Sequence, residues 1–283
     1  MATTKLGNKA VGSVVKLNVN GAAREFLIVH QGKPSDLYDD SCNGTWVLMK
    51  DVYEKRAWES RGARDYANSG PNYYLNHTFL GLLDTDIQSA IKQIKLPWYI
   101  VSAIHGNSVK SGADGLSCKV FFLSGYEVGW TTSDNGSFPK DGAKLDYFTA
   151  SSAGKSKRVA YFNGAASDWW LRSPRTNTST VWRVNTDGNY GGTESSYSDG
   201  YRPALILPGT LSVLDDGTVS TNAAPTISST SGANGVNLGT KSAAFSFQYT
   251  PSDADGDKLT VVEKLDGVTM KTRTNVTSGT ALT

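Results

Sequence analysis

Alternation of apolar and polar residues dominates the chain and predicts strands from its first segment onward. Val15, Leu17 and Val19 alternate with Lys16 and Asn18, Asn20-Gly21 follows, and Arg24-Glu25-Phe26-Leu27-Ile28-Val29-His30 returns. An Asn-Gly pair between two such runs predicts a β-hairpin, because both central turn positions need φ > 0. After a loop rich in Gly, Pro, Ser and Asp at 31–44, residues 45–50 predict a third strand. Helical spacing occurs twice. Tyr74, Leu75, Phe79, Leu82 and Leu83 share one face of a helix over 72–83. Ile87, Ile91 and Ile94 form the apolar side of a second helix, capped by Asp84 or Thr85 and ended by Pro97. Residues 98–117 read as an irregular loop, and 119–123 as a buried strand.

From 124 to 210, short strands at 156–162, 168–172, 181–184 and 202–207 alternate with turns, and Asp215-Asp216-Gly217 predicts a small hairpin. Residues 220–225 are small and polar and end in proline, the composition of a linker. Beyond them the chain has no helical period. It alternates at 244–249 and 258–262, which predicts an all-β module of immunoglobulin-like character. The expected organisation is a head at 1–219, a linker at 220–225 and a module at 226–283. The expected fold class is α+β: a head of short strands and two helices, then an all-β immunoglobulin-like sandwich. Such sandwiches use roughly 100 residues, so the module is expected to be incomplete and the native protein to continue past Thr283.

Charge and composition narrow the function classes. With 28 basic against 26 acidic residues, the net charge is +2. That gives nucleic acid or an anionic membrane no electrostatic hold as principal partner. No apolar run approaches the roughly 18–20 residues of a membrane span, and the first residues lack the apolar core of a secretion signal. No membrane insertion is therefore expected. Cys42 and Cys118 allow at most one disulfide, and the absence of C-x-x-C spacing excludes a cysteine zinc site. The 29 glycines, 13 tyrosines and 7 tryptophans indicate short strands and many turns, in a chain that presents surfaces rather than holds cofactors.

Catalytic chemistry finds no support in the residues. His30, His77 and His105 lie in no nucleophile motif, and no Gly-rich turn joins a strand to a helix as a phosphate cradle does. The expectation is that the protein is not an enzyme; enzyme chemistry would require Cys42 and Cys118 together in a pocket. Asp253, Asp255 and Asp257, with Gly256 among them, set carboxylates at alternate positions as calcium loops do, but without the Glu that completes an EF-hand. A polar turn and a calcium site both stay open there.

The most informative constellation is Trp169-Trp170-Leu171-Arg172-Ser173-Pro174 followed by Gly200-Tyr201-Arg202-Pro203-Ala204-Leu205. Burying Trp169 and Trp170 takes Arg172 and Arg202 inward with them, and a desolvated guanidinium needs hydrogen-bond partners. Both motifs are therefore expected to be structural core strands that bracket 176–200. Twenty of those 25 residues are Asn, Tyr, Ser, Thr, Gly or Asp. This is the composition of antibody paratopes, with an ordinary polar loop as the alternative.

These paired motifs, with Tyr-Leu-Asn-His-Thr-Phe-Leu at 74–80, resemble an uncharacterised domain family of phages and prophages of Clostridia-like bacteria. That family looks like the C-type-lectin and formylglycine-generating-enzyme superfold, which includes the variable proteins of diversity-generating retroelements. The resemblance spans about residues 10–210. It implies an exposed ligand face made of Asn177, Thr178, Ser179, Thr180, Trp182, Asn185, Asp187, Asn189, Tyr190, Ser195, Ser196 and Tyr197. Neither the copper cysteine pair of the enzymes nor the calcium motif of the animal lectins is present. The tail from Ala224 to Val261 is similar to bacterial immunoglobulin-like or cadherin-like repeats of adhesins and virions.

The implied protein is a phage tail or baseplate component, assembled in the host cytoplasm and displayed on the virion surface. It would bind a host-envelope glycan or protein by stacking of Trp182, Tyr190 and Tyr197. It would contact other virion subunits and act as a homo-oligomer, a trimer favoured for avidity. The alternative is a capsid- or tail-decorating protein whose head packs on other virion subunits, through an apolar patch such as Pro97, Trp98, Tyr99 and Ile100.

Overall fold

The computed structural model describes residues 4–58, 65–101, 107–149, 154–176, 180–222, 225–231, 242–243, 246–253 and 257–283. The chain divides into two compact units, Met1–Thr221 and Asn222–Thr283.

In the first unit, Val14–Val19 (β1) turns through Asn20 and Gly21, at φ 52° and 72°, into Ala22–Gly32 (β2). The alternation of β1 buries Val15, Leu17 and Val19. Gly44–Met49 (β3) follows, with every residue after Gly44 buried. Then come Glu54–Ala57 (β4), Val120–Phe121 (β5), Trp169–Pro174 (β6), Thr180–Val184 (β7), Tyr190–Glu194 (β8), Ser198–Tyr201 (β9) and Ala204–Leu207 (β10). These make two five-stranded sheets, in the orders β5-β10-β3-β2-β1 and β8-β7-β6-β9-β4.

The first sequence motif lies in one sheet and the second crosses from that sheet to the other. Trp169–Pro174 lies at the centre of the second, beside β9, to which it runs parallel. Ala204–Leu207 lies in the first, between β5 and β3. The chain thus changes sheets twice at one seam, at Met49–Tyr53 after β3 and at Tyr201–Pro203 after β9. The two crossings run side by side, joined by Met49 N–H donating to the Pro203 carbonyl at 2.8 Å and Tyr53 N–H to the Tyr201 carbonyl at 2.9 Å.

The expected α+β class with two helices is corrected: strands take 42% and helix 15%, and among the described residues only one helix is seven residues or longer. The expected helix at 72–83 is a run of α, π and 3-10 turns over Gly70–Tyr74, Leu75–Phe79 and Leu80–Leu82. Asn76 accounts for its irregular middle. Its amide donates to the Asn72 and Val120 carbonyls, and its Oδ1 accepts the Lys119 and Val120 N–H groups, so the helix is tied to the edge of β5.

The second expected helix stops at Ala90. Ile91 is already extended, and Ile94–Leu96 is a strand paired with Leu116–Cys118, burying Ile94 and Leu96 and exposing Lys95. An i, i+2 pattern overrode the i, i+3 one because a partner strand was within reach. The expected irregular loop at 98–117 also holds Trp98–Ile100 paired with Ser108–Lys110.

The second unit, as far as it is described, is all strand. Thr226–Ser229 pairs with Tyr249–Ser252, and Leu259–Leu265 with Val268–Val276. Two separate two-stranded sheets stand where an immunoglobulin-like sandwich was expected. Its buried core is Tyr249, Leu259, Val261 and Val276, with Leu282 against them.

Candidate functional site

The charge in the first unit's interior is organised around three buried arginines, each where carbonyls have left a ladder. Arg172 in β6 spends all five of its N–H groups. Nη1 and Nη2 grip Glu127 at 2.5 and 2.7 Å; Nε, Nη1 and Nη2 donate to the carbonyls of Pro97, Phe122 and Asp141 at 3.0, 3.0 and 2.8 Å. Glu127 is equally saturated. Tyr38 Oη donates to Oε1 at 2.7 Å and the Ser124 N–H to Oε2 at 2.9 Å, so each oxygen accepts two bonds. Both side chains are wholly inaccessible. Burial alone would lower the Arg172 pKa, but the adjoining Glu127 carboxylate raises it well above the ordinary value. A buried pair is tolerable only with this complete satisfaction.

Arg202 clamps the seam. Its Nε donates to the Met49 carbonyl at 2.9 Å and Nη2 to the Lys50 carbonyl at 2.8 Å, with its guanidinium over the Trp169 ring at 4.7 Å. Held by carbonyls and a ring, it is lowered by burial to about 10. Arg158, in the Lys155–Arg158 helix, repeats the device. It binds the Gly188, Val128 and Thr149 carbonyls and lies 4.4 Å from the centre of the Trp130 ring. Guanidinium is suited to this use because it carries several rigid donors and remains charged. The structural roles expected of Trp169, Trp170, Arg172 and Arg202 thus have specific partners, including Trp169 Nε1 to the Arg158 carbonyl and Trp170 Nε1 to that of Arg56. Sequence reading missed Glu127, Asp141 and Arg158, since no local pattern links them to β6.

Asp141 titrates within this network. Burial pushes its carboxyl up to about 7, against the pull of Arg172 and the Ser173 hydroxyl, which donates to both oxygens at 3.0 and 2.8 Å. Unfolded, the same group titrates near 4. The folded state therefore holds a proton the unfolded state has lost between roughly pH 4 and 7. This contribution to stability is fully present below pH 4, declines as pH rises and is gone above about 7. Thermal unfolding across that window should show the wild-type protein losing stability relative to Asp141→Asn; parallel curves would count against a proton on Asp141.

The residues expected on the ligand face separate into inside, turn and rim. Trp182 is buried, stacked on Phe138 at 4.1 Å, with Tyr190 edge-on at 5.5 Å and the Arg175 guanidinium 4.8 Å above it. Tyr190 also meets Trp130 and Phe138 edge-on, and its hydroxyl donates to the Asp134 carbonyl at 3.1 Å. Stacking of Trp182 on a ligand is therefore corrected, since Phe138 lies on its ring and Arg175 over it; Tyr190 is half-buried, its ring set edge-on against Trp130, Phe138 and Trp182. Ser195 is buried.

Asn185, Asp187 and Asn189 build the β7–β8 turn. The Asn185 N–H donates to the Asn189 carbonyl, and Asp187 accepts from the Asn189 N–H and amide. The hydrogen bonds from Asn189 hold the Asp187 carboxyl below its usual range. Gly188 sits at φ 78° against the Lys155 carbonyl, where a Cβ has no room. The tip of the hairpin is thus packed down. Thr180 is half-buried opposite Glu194. Ser196 and Tyr197 are exposed, in the turn between β8 and β9. Asn177, Thr178 and Ser179 lie outside the described residues.

The other candidates fare as follows. Cys42 and Cys118 are buried free thiols, Cys42 donating to the Lys95 carbonyl at 3.3 Å. Burial pushes Cys42 up to about 12 and Cys118 higher still, which suppresses the reactive thiolate. His30 is buried with Nδ1 2.8 Å from Asp146 Oδ2, off the hydrogen-bonding direction, so the contact is close but unaligned. Asp255 of the acidic triplet lies outside the described residues; Asp253 Oδ1 accepts the Asp257 N–H at 3.3 Å, as in a polar turn. Among the described residues no three His, Cys, Asp or Glu side chains gather as a metal requires, and no helix is long and apolar enough to cross a membrane. Pro97 is buried and gives its carbonyl to Arg172, while Trp98, Tyr99 and Ile100 are half-buried in a strand rather than displayed as a patch.

Residues 43–209, which include both the Trp169–Pro174 and the Gly200–Leu205 motifs and all three buried arginines, match a family described as a domain of unknown function, DUF6273. No curated protein and no solved structure matches the chain.

Proposed function

We propose that this chain, which belongs to the DUF6273 family, is a binding protein of a phage particle that recognises a glycan or protein of the host envelope through the rim at 193–198. What supports this is how 176–200 is divided. Its tryptophan lies inside the fold and the polar groups of its acid-amide turn are spent on one another, while Glu194, Ser196, Tyr197 and Ser198 stand in solvent between two laddered strands. Tyr197 is 60% exposed. A tyrosine with few rotatable bonds, flanked by serines in the short turn that joins β8 to β9, offers stacking area and adaptable hydrogen bonds at low entropic cost.

The test is binding of the full chain to immobilised clostridial cell-wall preparations. Tyr197→Ala combined with Ser196→Ala should weaken binding at least about tenfold, some 1.4 kcal/mol, with an unchanged unfolding temperature. Equal binding by the two proteins would place the ligand surface elsewhere.

A further inference from the structure

The exposed apolar side chains are concentrated in the smaller unit. Ile227, Val262, Leu265, Val268 and Met270 are exposed by about half or more, and Phe247 by a third. Ile227, Phe247, Tyr249, Val261, Val262 and Leu265 line a groove of about 830 Å³. A two-stranded hairpin over four buried side chains is marginal in water, so this surface calls for a cover.

The two outer edges of the Leu259–Leu265/Val268–Val276 hairpin are unlike. Between Leu259↔Val276 and Val261↔Arg273, and again between Glu263↔Lys271 and Lys264↔Thr269, the extra residue falls on 268–276. Asn275, at φ 57°, lies within the first of these bulges. Bulges and edge lysines are what proteins use to refuse a further strand. Pairing 268–276 with its own copy about Thr272 would also set Lys271 against Arg273, a repulsive contact. The 259–265 strand carries no bulge of its own, and among the described residues it pairs only with 268–276.

Its sequence is compatible with itself. Antiparallel pairing about Val262 sets Leu259 opposite Leu265, Thr260 opposite Lys264, Val261 opposite Glu263 and Val262 opposite Val262, with no like charges facing. Glu263 is already neutralised within its own copy, accepting from Arg273 Nε at 2.6 Å and from the Tyr249 hydroxyl.

We propose that two copies of this chain associate through their second units by antiparallel pairing of the 259–265 strands about Val262. The two hairpins become one four-stranded sheet, and the groove beside Val262 and Leu265 is closed by the same residues of the other copy. The symmetry is two-fold, and nothing is required of the first unit.

Sedimentation of the full chain over a concentration series tests this, with Val262→Lys and Met270→Lys beside it. Both positions are exposed in the single chain, so at concentrations low enough for the wild type to be monomeric both variants should melt like it. Expected are a dimer for wild type and Met270→Lys, and at least tenfold weaker association for Val262→Lys. A short bis-maleimide should link Val262→Cys into dimers and leave Met270→Cys unlinked, Cys42 and Cys118 being buried. A wild-type monomer at every concentration, a dimer indifferent to Val262→Lys, or linkage at position 270 in place of 262 would overturn the pairing.

Discussion

Arg172→Met is expected to destabilise the first unit by ~3–5 kcal/mol, because it leaves Glu127 as a buried charge without its counter-ion. Against a total stability of about 5–15 kcal/mol, that is enough to populate the unfolded state or abolish folding. The double variant Arg172→Met/Glu127→Gln separates two contributions. Removing the stranded charge should recover part of the loss. It should not recover all of it, since the carbonyls of Pro97, Phe122 and Asp141 lose their donors too. Denaturant unfolding of the two single variants and the double one measures this directly. Full recovery in the double variant would mean that the arginine serves only to balance Glu127 and does not hold the three segments together.

Trp182→Ala is the second large effect, again at ~3–5 kcal/mol, the usual range for truncating a buried tryptophan. The indole fills the space between Phe138, Tyr190 and Arg175, and Nε1 donates to the Ser137 carbonyl at 3.3 Å. Its removal opens a cavity between the second sheet and the 124–145 segment. Tyr197→Ala, beyond β8 and exposed, should stay within about 0.5 kcal/mol of wild type. Urea midpoints compare the two; a Trp182→Ala protein as stable as wild type would mean that the side chain does not fill this core.

Much of the first unit was legible where a local signal sufficed. Asn20-Gly21 specifies a turn by backbone conformation alone, and Val15, Leu17 and Val19 specify which face of β1 goes inward. Arg172 and Arg202 announced buried hydrogen bonds by standing beside tryptophans. Their partners could not be read, because Glu127 lies 45 residues from Arg172 and the Met49 carbonyl 153 residues from Arg202. The helix expected through Ile94 failed because apolar residues three or four apart can also be matched by a turn followed by a strand. The partner at Leu116–Cys118, which decides between them, lies in a stretch that read as loop.

The ligand face was misjudged for a related reason. Paratope-like composition does not distinguish a side chain pointing out from one pointing in. Trp182 sits in Val181-Trp182-Arg183-Val184, where both neighbouring faces of the strand are buried except at Arg183, and the cover over the indole, Phe138, comes from another part of the chain.

Hydroxyl-radical footprinting of the folded full chain, read by mass spectrometry, separates the interior of 176–200 from its rim most directly. Tyr197 should be oxidised at a rate comparable with the exposed Tyr73 and Tyr161, while Trp182, 1% exposed, should be strongly protected alongside Trp169 and Trp170. Oxidation of Trp182 as fast as Tyr197 would contradict the division on which the proposed rim depends.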